Sequence, residues 1–364
     1  MKSVLIFFAI LCFSAAGYAA GKNFLPVSYR SVGGDFERLL SDPSVKWNFN
    51  FRPYSKESAA MLFTDPAYQR DVSAGKTIEG QRPTAISMFC DSEGFTLLIF
   101  AGEPDMKKYL AEGKAFPSCT LELFFAPGDC DNEEIVHYNQ FIIGDPIKPE
   151  VRFFPWLVND RNFESLESYL RLESKIVSNG VMLRIFVPWT FAWNMLPLDD
   201  GKRNNYWRLS VIRFSPGGGQ TWGGVVHELS RAGYIQWPDF TPEQKLAIRK
   251  NVLYHAWNDY KAAFRRVDPA KTPDLKEPYR AALPKSERSY NNFAEYRDFA
   301  EEWMKPMAAE RDALGAQIAA MDTLSPEEQA RFYKKASAAL IQFQYDLEEA
   351  FAKYLKQKWM SEKE

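Results

Sequence analysis

Histidine and cysteine are scarce in this sequence, which has only three histidines and four cysteines among its 364 residues. His137, His227 and His255 lie far apart, and the cysteine spacings match no zinc-binding pattern, so no transition-metal site is expected. The same scarcity disfavours haem, which needs axial ligands such as His and Met in one pocket.

The chain also lacks an excess of charge of one sign. The chain has 45 basic and 47 acidic residues, which leaves a formal net charge of -2. Nucleic acids and anionic membranes are bound mainly through clustered Lys and Arg. We therefore expect neither as a partner, and an uncharged ligand fits this composition better.

No apolar run long enough to span a bilayer follows the N-terminus, because a spanning helix needs about 20 apolar residues. The N-terminus itself has the three parts of a secretory signal peptide, namely Lys2, the apolar stretch Val4 to Ala16 and the small-residue site Gly17 to Ala19. We predict a signal peptide over residues 1–19, which would contain Cys12. The protein is thus expected to be secreted or periplasmic.

Recognisable catalytic motifs are missing as well. The sequence has no G-x-S-x-G, no phosphate-binding glycine loop before a helix and no H-E-x-x-H. This pattern favours a protein that is not an enzyme. A glycoside hydrolase stays open as an alternative, because such enzymes need only two facing carboxylates.

What the sequence has in abundance is apolar and aromatic residues, at 46% and 15%. Between residues 45 and 240, short segments alternate apolar and polar residues and are broken by Gly, Pro, Asp and Asn. This rhythm predicts a mainly β protein, an antiparallel, jelly-roll-like β-sandwich. The clearest predicted strands are Trp47 to Arg52, Ile86 to Cys90, Phe95 to Phe100, Leu121 to Phe125, Tyr138 to Ile143, Val181 to Val187 and Trp207 to Phe214. The second and third are predicted to form a hairpin through the turn Asp91-Ser92-Glu93-Gly94.

Beyond the strands the pattern becomes helical. Thr241-Pro242-Glu243-Gln244 has the form of a capping box, which predicts a helix to about Phe264 at the end of a first unit, residues 20–264. A proline-rich linker is predicted over 265–290. Residues 291–362 are predicted to form an α-helical C-terminal tail.

The tail is predicted to hold two helices. Pro306 should kink the first or mark its start, and Ser325-Pro326-Glu327-Glu328 is a capping box that opens the second. A hairpin that closes on itself or docks on the sandwich, and a coiled coil that recruits a partner or self-associates, are both compatible with the three-four spacing of apolar residues.

One aromatic residue lies in an unusual setting. Trp222 stands between a long flexible loop, Gly217-Gly218-Gly219, and Gly223-Gly224. Neighbouring side chains shield a ring poorly in such a setting, so exposure is one of two possibilities for it. An exposed indole can stack on the apolar face of a pyranose. The alternative is that Trp222 plugs the end of the sandwich.

Three segments together resemble family 9 carbohydrate-binding modules over roughly residues 45–240. They are Ile86 to Pro104, Cys119 to Gly144, and the stretch from Trp207 to Ile235 that contains WRLSVIRF and Trp222. The resemblance implies a β-sandwich that clamps a sugar between aromatic rings, with polar side chains bonding the hydroxyls and with calcium in some loops. The matching ring position is Trp222.

The resemblance does not by itself place the second aromatic ring of the sugar clamp or the polar contacts. Trp47, Trp156 and Trp237 are candidates for the second ring, although large aromatics in a sandwich mostly fill its core. Glu122 projects from its strand opposite to Leu121 and Leu123 and could accept sugar hydroxyls.

The acidic loop Asp129 to Glu134 supplies hard oxygen donors, so Asp129, Asp131 and Glu133 are candidate calcium ligands. No other cofactor is expected. Cys90, Cys119 and Cys130 would remain after processing, which permits one disulfide at most.

The expected function is carbohydrate binding without catalysis, with an oligosaccharide or polysaccharide as the partner. Two alternatives come from other classes. One is a glycoside hydrolase or accessory polysaccharide-degrading enzyme, and the other is a ligand-free interaction protein that uses its C-terminal helices.

Overall fold

The fold is β-rich, with one sheet followed by long helices. A computed structural model describes residues 24–53, 83–103, 111, 120–127, 139–144, 151–155, 170–177, 179–192, 195–198, 206–215, 218–223, 232–266 and 305–361. Its strands are β1 (Phe24–Tyr29), β2 (Arg52–Pro53), β3 (Thr84–Cys90), β4 (Gly94–Gly102), β5 (Thr120–Ala126), β6 (Asn139–Ile143), β7 (Val151–Pro155), β8 (Arg171–Val177), β9 (Gly180–Pro188), β10 (Tyr206–Ser215), β11 (Gly218–Trp222) and β12 (Gly233–Gln236).

Most of the strands expected from alternation are present. The predicted hairpin is confirmed: β3 and β4 pair antiparallel, with Cys90 opposite Phe95. β5 and β6 also pair antiparallel, and β9 and β10 cover the last two predicted segments. Alternation alone did not predict β1, β7, β8 or β12.

The strands form one mixed sheet in the order β7-β6-β5-β10-β12-β1-β3-β4-β9-β8, with β11 and β2 attached beside β10. The expectation of purely antiparallel pairing is wrong at β1. Phe24 to Pro26 pair parallel with β12, and Val27 to Tyr29 pair parallel with β3. A single six-residue strand therefore joins the two halves of the sheet.

The sheet curls so that its halves face each other across a shared core. Phe95 of β4 lies 5.6 Å from Phe125 of β5 and 5.6 Å from Trp207 of β10, measured between ring centroids. These rings come from opposite halves. The inward residues of β3, β4, β5, β9 and β10 belong to the same buried apolar cluster.

The β3-β4-β9 half is buried on both faces. Its outer face is covered by helix α1 (Phe36–Ser41), whose Phe36 and Leu39 pack on a second apolar cluster with Phe89, Leu98 and Met182. Every residue of β3 is buried in consequence. Burial on both faces explains why these strands are nearly continuous in apolar residues.

Two local expectations are wrong. Residues 47–51 do not form a strand: Asn48 makes one isolated bridge with Ile86, and its side-chain Oδ1 accepts from the Asn50 backbone N–H at 2.9 Å. Side-chain bonds of this kind compete with a strand ladder. Conversely, Gly218–Trp222 is not a flexible loop, because its backbone pairs with both β10 and β2.

Three longer helices follow the sheet: α2 (Pro242–Arg266), α3 (Lys305–Ala319) and α4 (Pro326–Ser361). Both capping boxes are confirmed. The Gln244 N–H donates to Thr241 Oγ1 at 3.3 Å, and the Thr241 N–H donates to Gln244 Oε1 at 3.0 Å. Ser325 and Glu328 make the equivalent bonds before α4.

Helix α2 connects the sheet with α3 and α4. Its Asn251 side-chain amide donates to Ser92 O in the β3–β4 turn at 2.8 Å, and its Trp257 Nε1 donates to Arg311 O of α3 at 3.2 Å. Ile248 of α2 shares the main apolar cluster with Ile318 of α3. None of the helices in the described ranges combines the length and hydropathy of a membrane span.

Candidate functional site

The outer face of the β6-β5-β10-β12-β1 half carries polar side chains at positions that point away from the core. Leu121, Leu123 and Phe125 of β5 face inward, so Glu122 lies on the other face, as the alternation predicts. On β10 the same alternation places Arg208 and Ser210 on that face. We call Glu122, Gln140, Arg208 and Ser210 the polar face. Glu122 is half-buried and the other three are buried, as are Phe124 and Ile212 on the same face.

Glu122 is the acid of the polar face. Its Oε2 accepts a hydrogen bond of 3.2 Å from Gln140 Nε2 on the neighbouring strand β6. Partial burial raises the pKa of the Glu122 carboxyl, and the bond from Gln140 opposes that rise only in part. The site therefore holds a partly buried carboxylate that is paired with an amide.

Ser210 lies one row along the sheet from Glu122. It is opposite Phe124 of β5, and Phe124 is opposite Gln140 of β6. The hydroxyl of Ser210 is buried and has no hydrogen-bond partner among the residues that the structure describes. A buried polar atom of this kind costs free energy unless a ligand or water pairs with it.

Arg208 and two aromatic rings form the next row. The Arg208 guanidinium lies 4.0 Å from the centre of the Tyr234 ring and donates to Ala232 O at 3.2 Å. Phe24 stacks on Tyr234 with centroids 5.3 Å apart and an interplanar angle of 19°. The cation–π contact and the stacked ring hold this row in place.

Together these groups suit a neutral ligand that has many hydroxyls. The ionised carboxyl of Glu122 only accepts, the guanidinium of Arg208 only donates, and the amide of Gln140 and hydroxyl of Ser210 do both. A sugar hydroxyl also donates and accepts, so it is chemically complementary to groups of both kinds.

The structure does not place Trp222 at the surface. Its side chain is fully buried in the main apolar cluster, and its Nε1 donates to Asn48 Oδ1 at 3.2 Å. Of the two possibilities for Trp222, exposure is therefore wrong and burial in the core is correct. Trp222 is opposite Val211, an inward residue of β10, so the strand that contains the glycines turns its ring into the core.

The other predicted rings do not join Glu122 either. Trp237 is buried inside the core, 4.8 Å from the Trp207 ring centroid. Trp47 is partly buried against the second apolar cluster, on the outer face of the β3-β4-β9 half. Trp156 lies outside the described residues. Only Glu122, of the predicted sugar contacts that the structure describes, is on the polar face.

The predicted calcium ligands Asp129, Asp131 and Glu133 lie outside the described residues, as do Cys119 and Cys130. Within the described ranges, no group of three or more His, Cys, Asp or Glu side chains is arranged to hold a metal ion. Cys90 is a free, buried thiol, and burial raises its pKa.

Sequence reasoning missed four side chains of this region: Gln140, Arg208, Ser210 and Tyr234. A usable signal existed for three of them. Arg208 and Ser210 alternate with the apolar Trp207, Leu209 and Val211, and Gln140 precedes the apolar Phe141. Polar residues opposite an apolar strand face normally indicate solvent, so only the pairing of β5, β6, β10 and β12 shows that these residues adjoin.

No family model matches the chain, and no curated protein does. Among solved structures, the chain is similar to a family 9 carbohydrate-binding module from Caldicellulosiruptor kristjanssonii in complex with glucose. The TM-score is 0.35 and the identity 11%, over 60% of this chain and 97% of that one. A structure of a family 9 module from the same organism in complex with cellotriose has a TM-score of 0.34 and 12% identity, over 60% of this chain and 95% of that one.

Proposed function

We propose that this protein binds carbohydrate without catalysis, through the polar face of its sheet. The observation that carries the proposal is the pairing of the half-buried Glu122 with Gln140, one row from the buried hydroxyl of Ser210. The three side chains present acceptors and donors side by side on neighbouring strands. This is the arrangement that a ring with several adjacent hydroxyls can satisfy.

The rigidity of the support strengthens the proposal. All four polar-face residues are on strands in the paired interior of the sheet, and none is at a loop tip. Contacts held by strands are positioned more precisely than contacts held by loops. Less ligand binding energy is then lost in ordering the protein.

A non-catalytic role fits the described acids of this face. Among the described residues of β1, β5, β6, β10, β11 and β12, Glu122 is the one carboxylate. Hydrolysis of a glycosidic bond by the usual route needs a second carboxyl group roughly 5 to 9.5 Å away. Export through residues 1–19 and calcium at the Asp129–Glu134 loop remain parts of the proposal to be tested separately.

The first experiment is a glycan-array screen of the full chain lacking residues 1–19, with and without calcium, followed by titration of the best neutral glycan. Glu122→Gln should weaken binding by about 10-fold or more, since hydrogen bonds to a charged group contribute roughly 1.5–3 kcal/mol. Glu310→Gln removes the same charge from an exposed position on α3 and should leave affinity unchanged.

A clean negative across plant, algal and host glycans would overturn the proposal. Equal affinities of the wild type and the Glu122→Gln variant would remove Glu122 from the site. Release of reducing sugar during incubation with the bound glycan would replace the binding role with a hydrolase. Chelation with EDTA tests calcium, and unchanged binding would show that the metal is not required.

A further inference from the structure

Strand β8 forms one end of the sheet. Among the described residues it pairs only with β9, on one of its two sides. Its exposed and partly exposed side chains alternate along the strand: Arg171, Glu173 and Lys175 are exposed, and Leu172, Ser174 and Ile176 are partly exposed. A strand in this position presents a row of backbone N–H and C=O groups that can pair with another strand. We call the side of β8 that faces away from β9 the outer edge.

The register of β8 and β9 determines which backbone groups face the outer edge. Val177 is opposite Gly180, with two positions between them in the sequence. Residues that flank a two-residue hairpin connection form a hydrogen-bonded pair. The direction of the backbone groups alternates along a strand, so Val177 and every second residue before it bond to β9. Leu172, Ser174 and Ile176 therefore direct their N–H and C=O groups to the outer edge.

The charged side chains of β8 share one face of the strand and are already oriented there. Glu173 Oε2 accepts from Arg184 Nη2 at 2.6 Å, and Lys175 Nζ donates to Asp35 Oδ2 at 3.0 Å. About half of each side chain is nevertheless exposed, 53% for Glu173 and 47% for Lys175. A carboxylate can accept several hydrogen bonds and an ammonium group can donate three. Both groups thus have capacity for a further partner.

We infer that the outer edge is a dimer interface, at which β8 of a second copy of this chain pairs antiparallel about a two-fold axis at Ser174. In this register Glu173 is opposite Lys175 of the second copy, and Lys175 is opposite Glu173 of the second copy. Opposite charges directly across from each other stabilise a pair of strands. The interface goes beyond the proposed carbohydrate binding and does not rest on it.

The backbone directions fit the same register. Ser174 pairs with Ser174 of the second copy, and Leu172 and Ile176 pair with each other across the axis, all through groups that face the outer edge. These pairs exchange about six hydrogen bonds. Glu173 and Lys175 then occupy the positions without hydrogen bonds, where opposite Cα atoms are only about 4.5 Å apart and side chains are closest. Leu172 and Ile176 meet on the inner face, beside the apolar cluster on which they pack.

Neighbouring registers bring like charges together. An axis at Glu173 places that residue opposite its own copy, and also places Arg171 opposite Lys175. An axis at Lys175 places two lysines opposite each other. Charged residues on an edge strand usually discourage pairing, but on β8 they disfavour the shifted registers and favour the one centred on Ser174. Because the strand is complementary to itself, a second copy is the partner that it fits.

The test measures the mass in solution of the full chain lacking residues 1–19, by sedimentation velocity over a wide range of concentrations. We expect the wild type to change from monomer to dimer as concentration rises. Glu173→Lys brings lysines opposite each other, and Lys175→Glu brings glutamates opposite each other. Each variant alone should therefore dimerise about 10-fold more weakly than the wild type, or worse.

Mixing the two variants separates a contact between copies from a change within one copy. In a mixed dimer the two lysines of Glu173→Lys are opposite the two glutamates of Lys175→Glu, so dimerisation should return to nearly the wild-type level. Each variant has also lost an ion pair within its own chain, with Arg184 or with Asp35. Mixing does not restore those ion pairs, so recovery reports the pairing of β8 with β8.

Three further variants complete the experiment. Glu310→Lys and Lys334→Glu make the same charge changes at exposed positions on α3 and α4, and both should dimerise as the wild type does. Ser174→Pro removes the N–H at the centre of the interface, a change that an edge strand tolerates when the N–H faces away from its neighbour. This variant should remain monomeric. Circular dichroism establishes that each variant is folded.

A wild type that stays monomeric at every concentration would overturn the inference. A dimer that Glu173→Lys and Lys175→Glu leave unchanged would also overturn it, because the copies would then meet elsewhere, for example through the C-terminal helices. A mixture no more dimeric than its two components would do the same. Carbohydrate binding is decided separately, since the polar face is on β5, β6 and β10, away from β8 in the order of the sheet.

Discussion

Glu122 has a carboxyl group that folding removes partly from water. Burial is the larger influence on it and raises its pKa, while the bond from Gln140 lowers the pKa by a smaller amount. A group whose pKa is raised in the folded state is more costly to keep ionised there than in the unfolded chain. Glu122 therefore reduces stability at neutral pH, as residues retained for binding often do.

The sign of this effect gives a prediction on stability. Above its folded pKa the ionised Glu122 destabilises the fold by the full amount, and the cost disappears as pH falls below the unfolded pKa. At pH 7, Glu122→Gln should therefore melt at the same temperature as the wild type or higher. The difference should shrink at acidic pH, and thermal unfolding followed by circular dichroism from pH 4 to 8 measures both.

The same titration should appear in binding. Wild-type affinity for a neutral glycan should fall as pH decreases through the raised pKa of Glu122, because the protonated carboxyl has lost acceptor capacity. Glu122→Gln should show no such decrease. A variant that melts well below the wild type at pH 7 would contradict this account and make Glu122 a stabilising residue.

Arg213 is a buried charge of another kind, because its guanidinium bonds the two halves of the sheet to each other. It is almost completely buried at the end of β10, and its guanidinium donates to Gly102 O at 3.0 Å, Thr84 Oγ1 at 3.2 Å and Pro83 O at 3.3 Å. These acceptors are on or beside β3 and β4, in the other half of the sheet. The planar fork of arginine suits several carbonyl acceptors at once.

At the scale of elements, α2 is the helix that packs against both the sheet and the C-terminal helices. One side of α2 contributes Ile248, Val252 and Leu253 to the core beneath it. Another side carries Trp257, whose indole lies against Gly315 of α3. A salt bridge of 2.6 Å between Lys250 and Asp322 lies near the other end of this contact.

Gly315 is a test of the α2–α3 contact. A Cβ at this position would overlap atoms of the Trp257 indole, so Gly315→Ala should destabilise the protein by about 1–3 kcal/mol through overpacking. Helix propensity alone predicts the opposite, a gain of about 1 kcal/mol for alanine. Chemical denaturation measures which of the two effects is larger.

A double variant provides the control for Gly315. Trp257→Phe removes the indole atoms that the new methyl group would meet, so Gly315→Ala should cost much less in that background than in the wild type. If Gly315→Ala stabilised the wild-type protein, the close packing of α2 on α3 would be wrong.

At the scale of the whole molecule, the apolar core is continuous. One cluster runs from Leu123 in the sheet through Val252 of α2 to Ile318 of α3 and Leu340 of α4. Elements that share one core tend to unfold together, whereas elements with separate cores unfold independently. We therefore expect the C-terminal helices to unfold together with the sheet in one cooperative transition.

Two probes measure this cooperativity. Near-ultraviolet circular dichroism reports the packed tryptophans of the sheet core, Trp189, Trp207 and Trp237, and far-ultraviolet dichroism at 222 nm reports mainly the helices. We expect both signals to change at the same denaturant concentration. Gly315→Ala should shift both midpoints together, and two separate midpoints would show that the helices form their own unit.

Sequence by itself determined the features that depend on neighbours along the chain. The β3–β4 hairpin follows from alternation on both sides of a short turn, and the starts of α2 and α4 follow from capping boxes whose bonds span only three residues. Glu122 lies on the strand face opposite to that of Leu121 and Leu123, which follows from the two-residue period of a strand.

Only the tertiary structure decided the features that depend on distant pairing. β1 joins two halves of the sheet by parallel bonds to β3 and β12, and no local pattern specifies such partners. Trp222 is buried because β11 pairs with β10 and β2, although its glycine neighbours suggested exposure. Arg208, Tyr234 and Phe24 adjoin for the same reason: strand pairing brings side chains within 6 Å that are up to 210 residues apart, which is the difference between positions 234 and 24.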